Sequence, residues 1–191
     1  MEILSNYDLD SIKEHLDFYN FKTSESKHKT IIVKFKDEVK VTTFSDISFG
    51  GDISDFNRQA PLLKNVFFSI IDLITKGEVL ITCYETKWIN NKNCSELIDF
   101  FRKNNLKPDF NGGIKTKNRG ALEIFFNGNL KYCSFLDFVL VDEQTIITPT
   151  DHMDIFIHSI EPEVTLKNIE VIIKCIDREG LLFIEEFKPE G

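Results

Sequence analysis

The chain has 191 residues, with 31 acidic and 23 basic side chains, a net charge of −8, and a 42% hydrophobic fraction that includes 18 Phe. At this length folding removes roughly 70% of the unfolded surface from water, so a core can form without staples. No run approaches the roughly 18 apolar residues of a membrane span, and "MEILSNYDLD" has neither a cationic start nor an apolar core, so a cytoplasmic protein is expected.

Leu9, Ile12, Leu16 and Tyr19 recur at helical spacing, and Ser11 with Glu14 fits a capping box, which predicts a short N-terminal helix. "TIIVKFKDEVKVTTF" places Ile31, Val33 and Phe35 on one side of a strand and Lys34 and Lys36 on the other, and Asp37-Glu38 turns it into a hairpin. "SDISFGGDISDFN" groups Asp46, Asp52 and Asp55 about Gly50-Gly51. Carboxylate oxygens on a loop suit a hard cation, but the spacing departs from a calcium loop, and aspartates in turns cap backbone amides; no metal is expected.

"APLLKNVFFSIIDLITKG" carries the clearest apolar stripe, Leu62, Leu63, Val66, Phe67, Ile70, Ile71 and Ile74, with Pro61 in its first turn and Gly77 at its stop. "EVLITCYETKW" follows as a strand. "NCSELIDFFRKNN" then reads as a second amphipathic helix with Leu97, Phe100 and Phe101 inward. Beyond residue 120 the texture is β-rich: "ALEIFF", "LKYCSF", "DFVLV", "TIIT", "MDIFIHSI", "IEVIIKCI" and "LLFIEEF", separated by turn residues. Met153, Phe156, Ile157 and Ile160, like Ile169, Ile172, Ile173 and Ile176, also fit a helical face, and the β-branched residues favour strands. The expectation is a single α+β domain over residues 1–191: a largely antiparallel sheet of hairpins and meander with about three helices, a helix-containing half to about residue 110, and a β-rich acidic half from about residue 120.

Cys83, Cys133 and Cys175 lie in apolar runs and Cys94 in a polar turn, with no zinc or redox spacing, so reduced core thiols are expected. "DFNGGIKTKNRG", residues 109–120, reads as a glycine-rich loop. Six bases lie between Arg102 and Arg119 against one acid, Asp109. A phosphate-binding P-loop fails here, because Ile114 separates Gly113 from Lys115 and "ALEIFF" has strand character where a helix should begin. Lys115, Lys117 and Arg119 remain candidate anion contacts. On a strand His152 and His158 would stand roughly 20 Å apart, too far to share an ion. No nucleophile carries a local signature, and Glu185 and Glu186 should face opposite ways on a strand, so no catalytic residue and no cofactor is assigned.

From Asp137 to Gly191 there are 13 acids against 4 bases. Such a field repels nucleic acid and draws basic proteins. The expected function is an acidic protein-binding module, an inhibitor or immunity-type protein neutralising a basic partner such as a bacterial toxin. Contacts are expected at Asp142, Glu143, Asp151, Asp154, Glu161 and Glu163, which flank the turns of the acidic half. Trp88, the lone Trp, joins them as an interface anchor at a strand end. The alternative is a small-ligand binder or enzyme using residues 109–120.

Overall fold

The computed structural model describes residues 1–15, 29–83, 87–89, 94–107 and 109–187. In chain order these form β1 (Glu2–Leu4), α1 (Asn6–His15), β2 (Lys29–Phe35), α2 (Phe44–Ser48), α3 (Ile53–Ile74), β3 (Val79–Cys83), α4 (Ser95–Lys103), β4 (Gly113–Thr116), α5 (Arg119–Leu130), β5 (Leu136–Leu140), β6 (Thr145–Pro149), β7 (Asp154–Ser159), α6 (Pro162–Ile176) and β8 (Leu182–Phe187). The eight strands make one sheet in the order β1-β4-β3-β5-β6-β7-β2-β8, with every pairing antiparallel. The α+β class with a largely antiparallel sheet is therefore observed, and β5 to β8 give the C-terminal half its strand content. Six helices are present among the described residues instead of about three.

Alternation along the strands sorts side chains to two faces. Ile31, Val33 and Phe35 of β2, Ile81 of β3, Phe138 of β5 and Ile155 and Ile157 of β7 point into the main core, where residues of α3 to α6 meet them. α3 contributes Leu63, Val66, Phe67 and Ile70, all fully enclosed, each worth about 1.5–3 kcal/mol of burial. The opposite face holds a smaller cluster in which Leu9 of α1 meets Leu4, Leu80, Val139 and Ile146.

Several local expectations are corrected. "ALEIFF" is helix, because Ala121, Leu122, Phe125, Phe126 and Leu130 form one buried stripe and the Asn118 side chain accepts a hydrogen bond from the Ala121 amide at 2.9 Å. "LKYCSF" is the end of that helix and its exit turn, and Asn127-Gly128 lies inside the helix. "IEVIIKCI" belongs to α6, whose buried Thr165, Ile169 and Ile172 recur at helical spacing behind Pro162 in the first turn. The expected hairpin after β2 does not form. Residues 36–43 hold no strand; the buried Gln59 side chain donates to the Lys40 carbonyl at 2.7 Å and accepts from the Thr42 amide at 3.2 Å. β2 pairs instead with β7 and β8. α3 starts at its Asp52 cap, so Pro61 is interior to the helix and not in its first turn. The N-terminal helix is capped by Ser5 and Asp8, not by Ser11 and Glu14, and Leu16 and Tyr19 lie outside the described residues.

The cysteine expectation is also corrected. Cys94, at the N-cap of α4, and Cys133, in the turn between α5 and β5, form a disulfide with Cα atoms 5.8 Å apart. Both are buried. The Cys83 thiol donates to the Lys87 carbonyl at 3.2 Å, and Cys175 is exposed because its segment is helical.

Candidate protein-binding surface

Adjacent antiparallel strands send their connections alternately to opposite ends of a sheet. Leu140 is in register with Thr145, and Thr145 with Ser159, so the β5–β6 turn lies at the same end as the exit of β7 into α6. Asp142 and Glu143 sit in that turn, and Glu161 and Glu163 sit at the start of α6. Four expected contact residues thus share one end. Asp151 and Asp154 do not join them: Pro149 is in register with Ile155, which puts the β6–β7 turn at the other end, about 17 Å away along five residues of β6.

The shared end is anchored by buried hydroxyls. The Thr145 hydroxyl donates to the Glu143 carbonyl at 3.0 Å and lies 3.3 Å from Ser159 Oγ. Ser159 Oγ is 3.0 Å from Thr165 Oγ1 and accepts the Glu161 amide at 3.1 Å. Thr145, Ser159 and Thr165 are all buried. Three hydroxyls therefore stitch the β5–β6 turn to the first turn of α6 and set the backbone that carries the carboxylates. Asp142, Glu161 and Glu163 are exposed, Glu143 is half-buried, and none of the four makes an ion pair among the described residues. The hydroxyl network escaped sequence reasoning; its signal was Thr145 and Ser159 on the core-facing register of otherwise apolar strands.

The segment 109–120 is not a glycine-rich loop. Its centre is β4, hydrogen-bonded between β1 and β3, and its end is the N-cap and first turn of α5. Lys115 is half-buried in β4, on the face opposite Ile114 and Thr116. Lys117 and Arg119 follow at the acid-bearing end, since Thr116 is in register with Val79 and Leu80 with Val139. Lys117 donates to the Lys76 carbonyl at 3.3 Å. Arg119 pairs with Asp72 at 2.8 Å and lies over the Phe68 ring at 4.3 Å. The three cations therefore do not converge on one point. A strand followed by a helix is the context a P-loop needs, but the Thr116 hydroxyl is occupied in accepting the Asn118 amide at 3.0 Å and the motif is still absent.

Trp88 is removed from the contact set. It is fully enclosed, with its ring centroid 5.7 Å from that of Phe101, 5.4 Å from that of Phe110 and 5.8 Å from that of Phe125. An aromatic cluster at the base of α4 and α5 consumes the side chain that the sequence suggested for an interface.

The aspartates around Gly50-Gly51 serve the helices. Asp46 closes a capping box with Thr43 on α2, Asp52 caps α3 by accepting the Ser54 amide at 2.8 Å, and Asp55 lies 3.5 Å from Arg58. Hydrogen bonds from Thr43 hold the Asp46 carboxyl below its ordinary pKa, and those from Ser54 do the same for Asp52. At the far end of the sheet, burial pushes the Asp154 carboxyl above its ordinary pKa, against a hydrogen bond from the Thr150 hydroxyl and the nearby His152. His158 instead reaches Thr30 across the β2–β7 pair, at 2.9 Å. Glu185 and Glu186 do face opposite ways: Glu185 joins Lys34 at 2.5 Å, on the face away from the main core.

No protein-family model, no curated protein and no solved structure matches the chain. Among the described residues no helix is long and apolar enough to cross a membrane.

Proposed function

We propose that the chain is a non-enzymatic module that binds a basic protein through the carboxylates Asp142, Glu143, Glu161 and Glu163, as an inhibitor or immunity-type protein does for a toxin with a cationic active cleft. The observation that carries this reading is the gathering of four carboxylates, free of ion pairs among the described residues, on a backbone fixed by the Thr145, Ser159 and Thr165 hydroxyls. A cleft built for phosphates is complementary to clustered carboxylates, and a pre-organised cluster loses little side-chain and loop entropy on binding. Asp151 and Asp154 are left outside the contact.

The test is affinity capture from the native cell at low and moderate salt, with the wild-type chain, a variant carrying Asp142→Asn, Glu143→Gln, Glu161→Gln and Glu163→Gln, and Asp151→Asn as the opposite-end control. A basic protein retained by wild type and Asp151→Asn and lost by the fourfold variant supports the reading. Equal retention by all three rejects it.

The reading includes a cytoplasmic location and a bacterial source, and the disulfide is the observation that opposes the former. Cytosolic thiol buffers keep most cysteines reduced. Alkylation of the protein in intact cells, read by peptide mass, decides: unmodified Cys94 and Cys133 mean that the bridge is closed there, modified ones that it is open.

A further inference from the structure

The two edges of the sheet are managed differently. β1 ends one side with three residues, too short to template a partner strand. β8 ends the other with six, Leu182 to Phe187, all paired with β2 on one side and with no strand on the other among the described residues. A strand of this length offers backbone N–H and C=O groups outward at about three residues, which is the template used in recognition by strand addition.

We propose that β8 accepts an extended, basic segment of a partner protein as a ninth, antiparallel strand. The charges choose this occupant. Glu185 is already matched, with Lys34 2.5 Å away and over the Phe183 ring at 4.9 Å, on the face away from the main core. Glu186 points to the other face, is exposed, and has no ion pair among the described residues. An incoming strand therefore meets apolar neighbours at Leu182 and Ile184 and one unmatched carboxylate at Glu186, all on the helix-bearing side. A lysine or arginine opposite Glu186, with β-branched residues at the two alternate positions, satisfies that row.

A second copy of this chain fits worse. In a continuous antiparallel sheet, two-fold pairing about Glu185 or Glu186 puts identical carboxylates directly opposite each other. Pairing about Ile184 sets Glu186 against Leu182 and Glu185 against Phe183. None of these three registers offers Glu186 an opposite charge, and like charges directly opposed destabilise a strand pair. Pairing about Phe187 would set Glu186 against Lys188, but it also sets Glu185 against Pro189, which has no N–H to give the ladder.

The inference rests on the reading above only for the sign of the partner's charge; it concerns a different surface, so the two can fail separately. The probe is a blocked peptide, Lys-Thr-Val-Thr-Val-Thr, with a control bearing Glu in place of Lys and a second control N-methylated on alternate residues. Amide resonances of the intact protein are followed during titration, with wild type, Glu186→Lys and the fourfold acid variant. The expected result is a shift confined to β8 and β2 for the lysine peptide, weakened several-fold by Glu186→Lys, abolished by N-methylation, and unchanged in the fourfold variant. Equal shifts with the glutamate peptide, shifts located at residues 142–163, or no shift at β8 overturn the proposal. So does self-association in sedimentation that Glu186→Lys abolishes, since the edge is then filled by a second copy.

Discussion

The Asn129 side chain joins α5 to β6 by donating from Nδ2 to the carbonyl oxygen of Pro149 at 2.9 Å. The same nitrogen donates to the Leu136 carbonyl at 2.7 Å, while Oδ1 accepts the Leu136 amide at 3.0 Å and the Ser134 hydroxyl at 3.1 Å. One buried amide thus satisfies four groups where the helix hands over to β5. Asn129→Leu keeps the branched outline, though not the smaller volume, of the side chain and strands all of them. A loss of about 2–4 kcal/mol in urea unfolding is expected, since each buried group left unpaired costs roughly 1–3 kcal/mol with partial relaxation. A loss below about 1 kcal/mol would show that water replaces the amide.

A second substitution probes the edge formed by β1. A Cβ built on Gly112 falls 2.0 Å from the Leu4 carbonyl oxygen, a backbone atom that cannot rotate away. Gly112→Ala should therefore detach β1 from β4 and leave the rest of the sheet. Hydrogen exchange is expected to accelerate at residues 2–4 and 113–115, with β6 and β7 protected as in wild type. Unchanged exchange at β1 would contradict the close approach.

The sheet was legible where strand periodicity had no rival. β3, β5, β6 and β8 follow their apolar runs, and α4 follows the spacing of Leu97, Phe100 and Phe101. β7 had a helical rival, and there the preference of its β-branched residues for a strand held. α5 and α6 were not, because Phe and Ile carry β propensity while burial decides the outcome. In "IEVIIKCI" both patterns coexist; the inward row of Thr165, Ile169 and Ile172 against the sheet selects the helix. The disulfide was illegible for another reason: nothing in a separation of 39 residues states a pairing. The division of the acids between two ends follows from strand parity, so Asp142 and Asp151 could have been separated once three consecutive meander strands were recognised.

The Cys94–Cys133 bridge ties the start of α4 to the exit of α5. Replacing both with Ser should cost about 2–4 kcal/mol, the usual contribution of a bridge of this loop size. Wild type in reductant should fall to the melting temperature of the double variant, and the variant should ignore reductant. If reductant leaves wild type unmoved, the bridge adds nothing to stability.

Asp154 gives a pH dependence of the less common sign. Burial among its neighbours on β2 and β6 raises its pKa; Thr150 and His152 oppose that shift, as Lys34 does more weakly, while Asp151 adds to it. A carboxyl whose folded pKa is raised contributes most below its unfolded value of about 3.8 and loses that contribution as pH climbs through the folded value. At neutral pH the ionised group opposes folding. Asp154→Asn keeps an acceptor for the Thr150 hydroxyl and removes the charge, so the variant should be more stable than wild type at pH 7. The gain should shrink as pH falls and vanish below the unfolded pKa, where wild type is also neutral. Chemical denaturation of both proteins from pH 3 to pH 8 measures the difference; a variant less stable at pH 7 and equal at pH 3 would mean that the Lys34 and His152 charges outweigh burial.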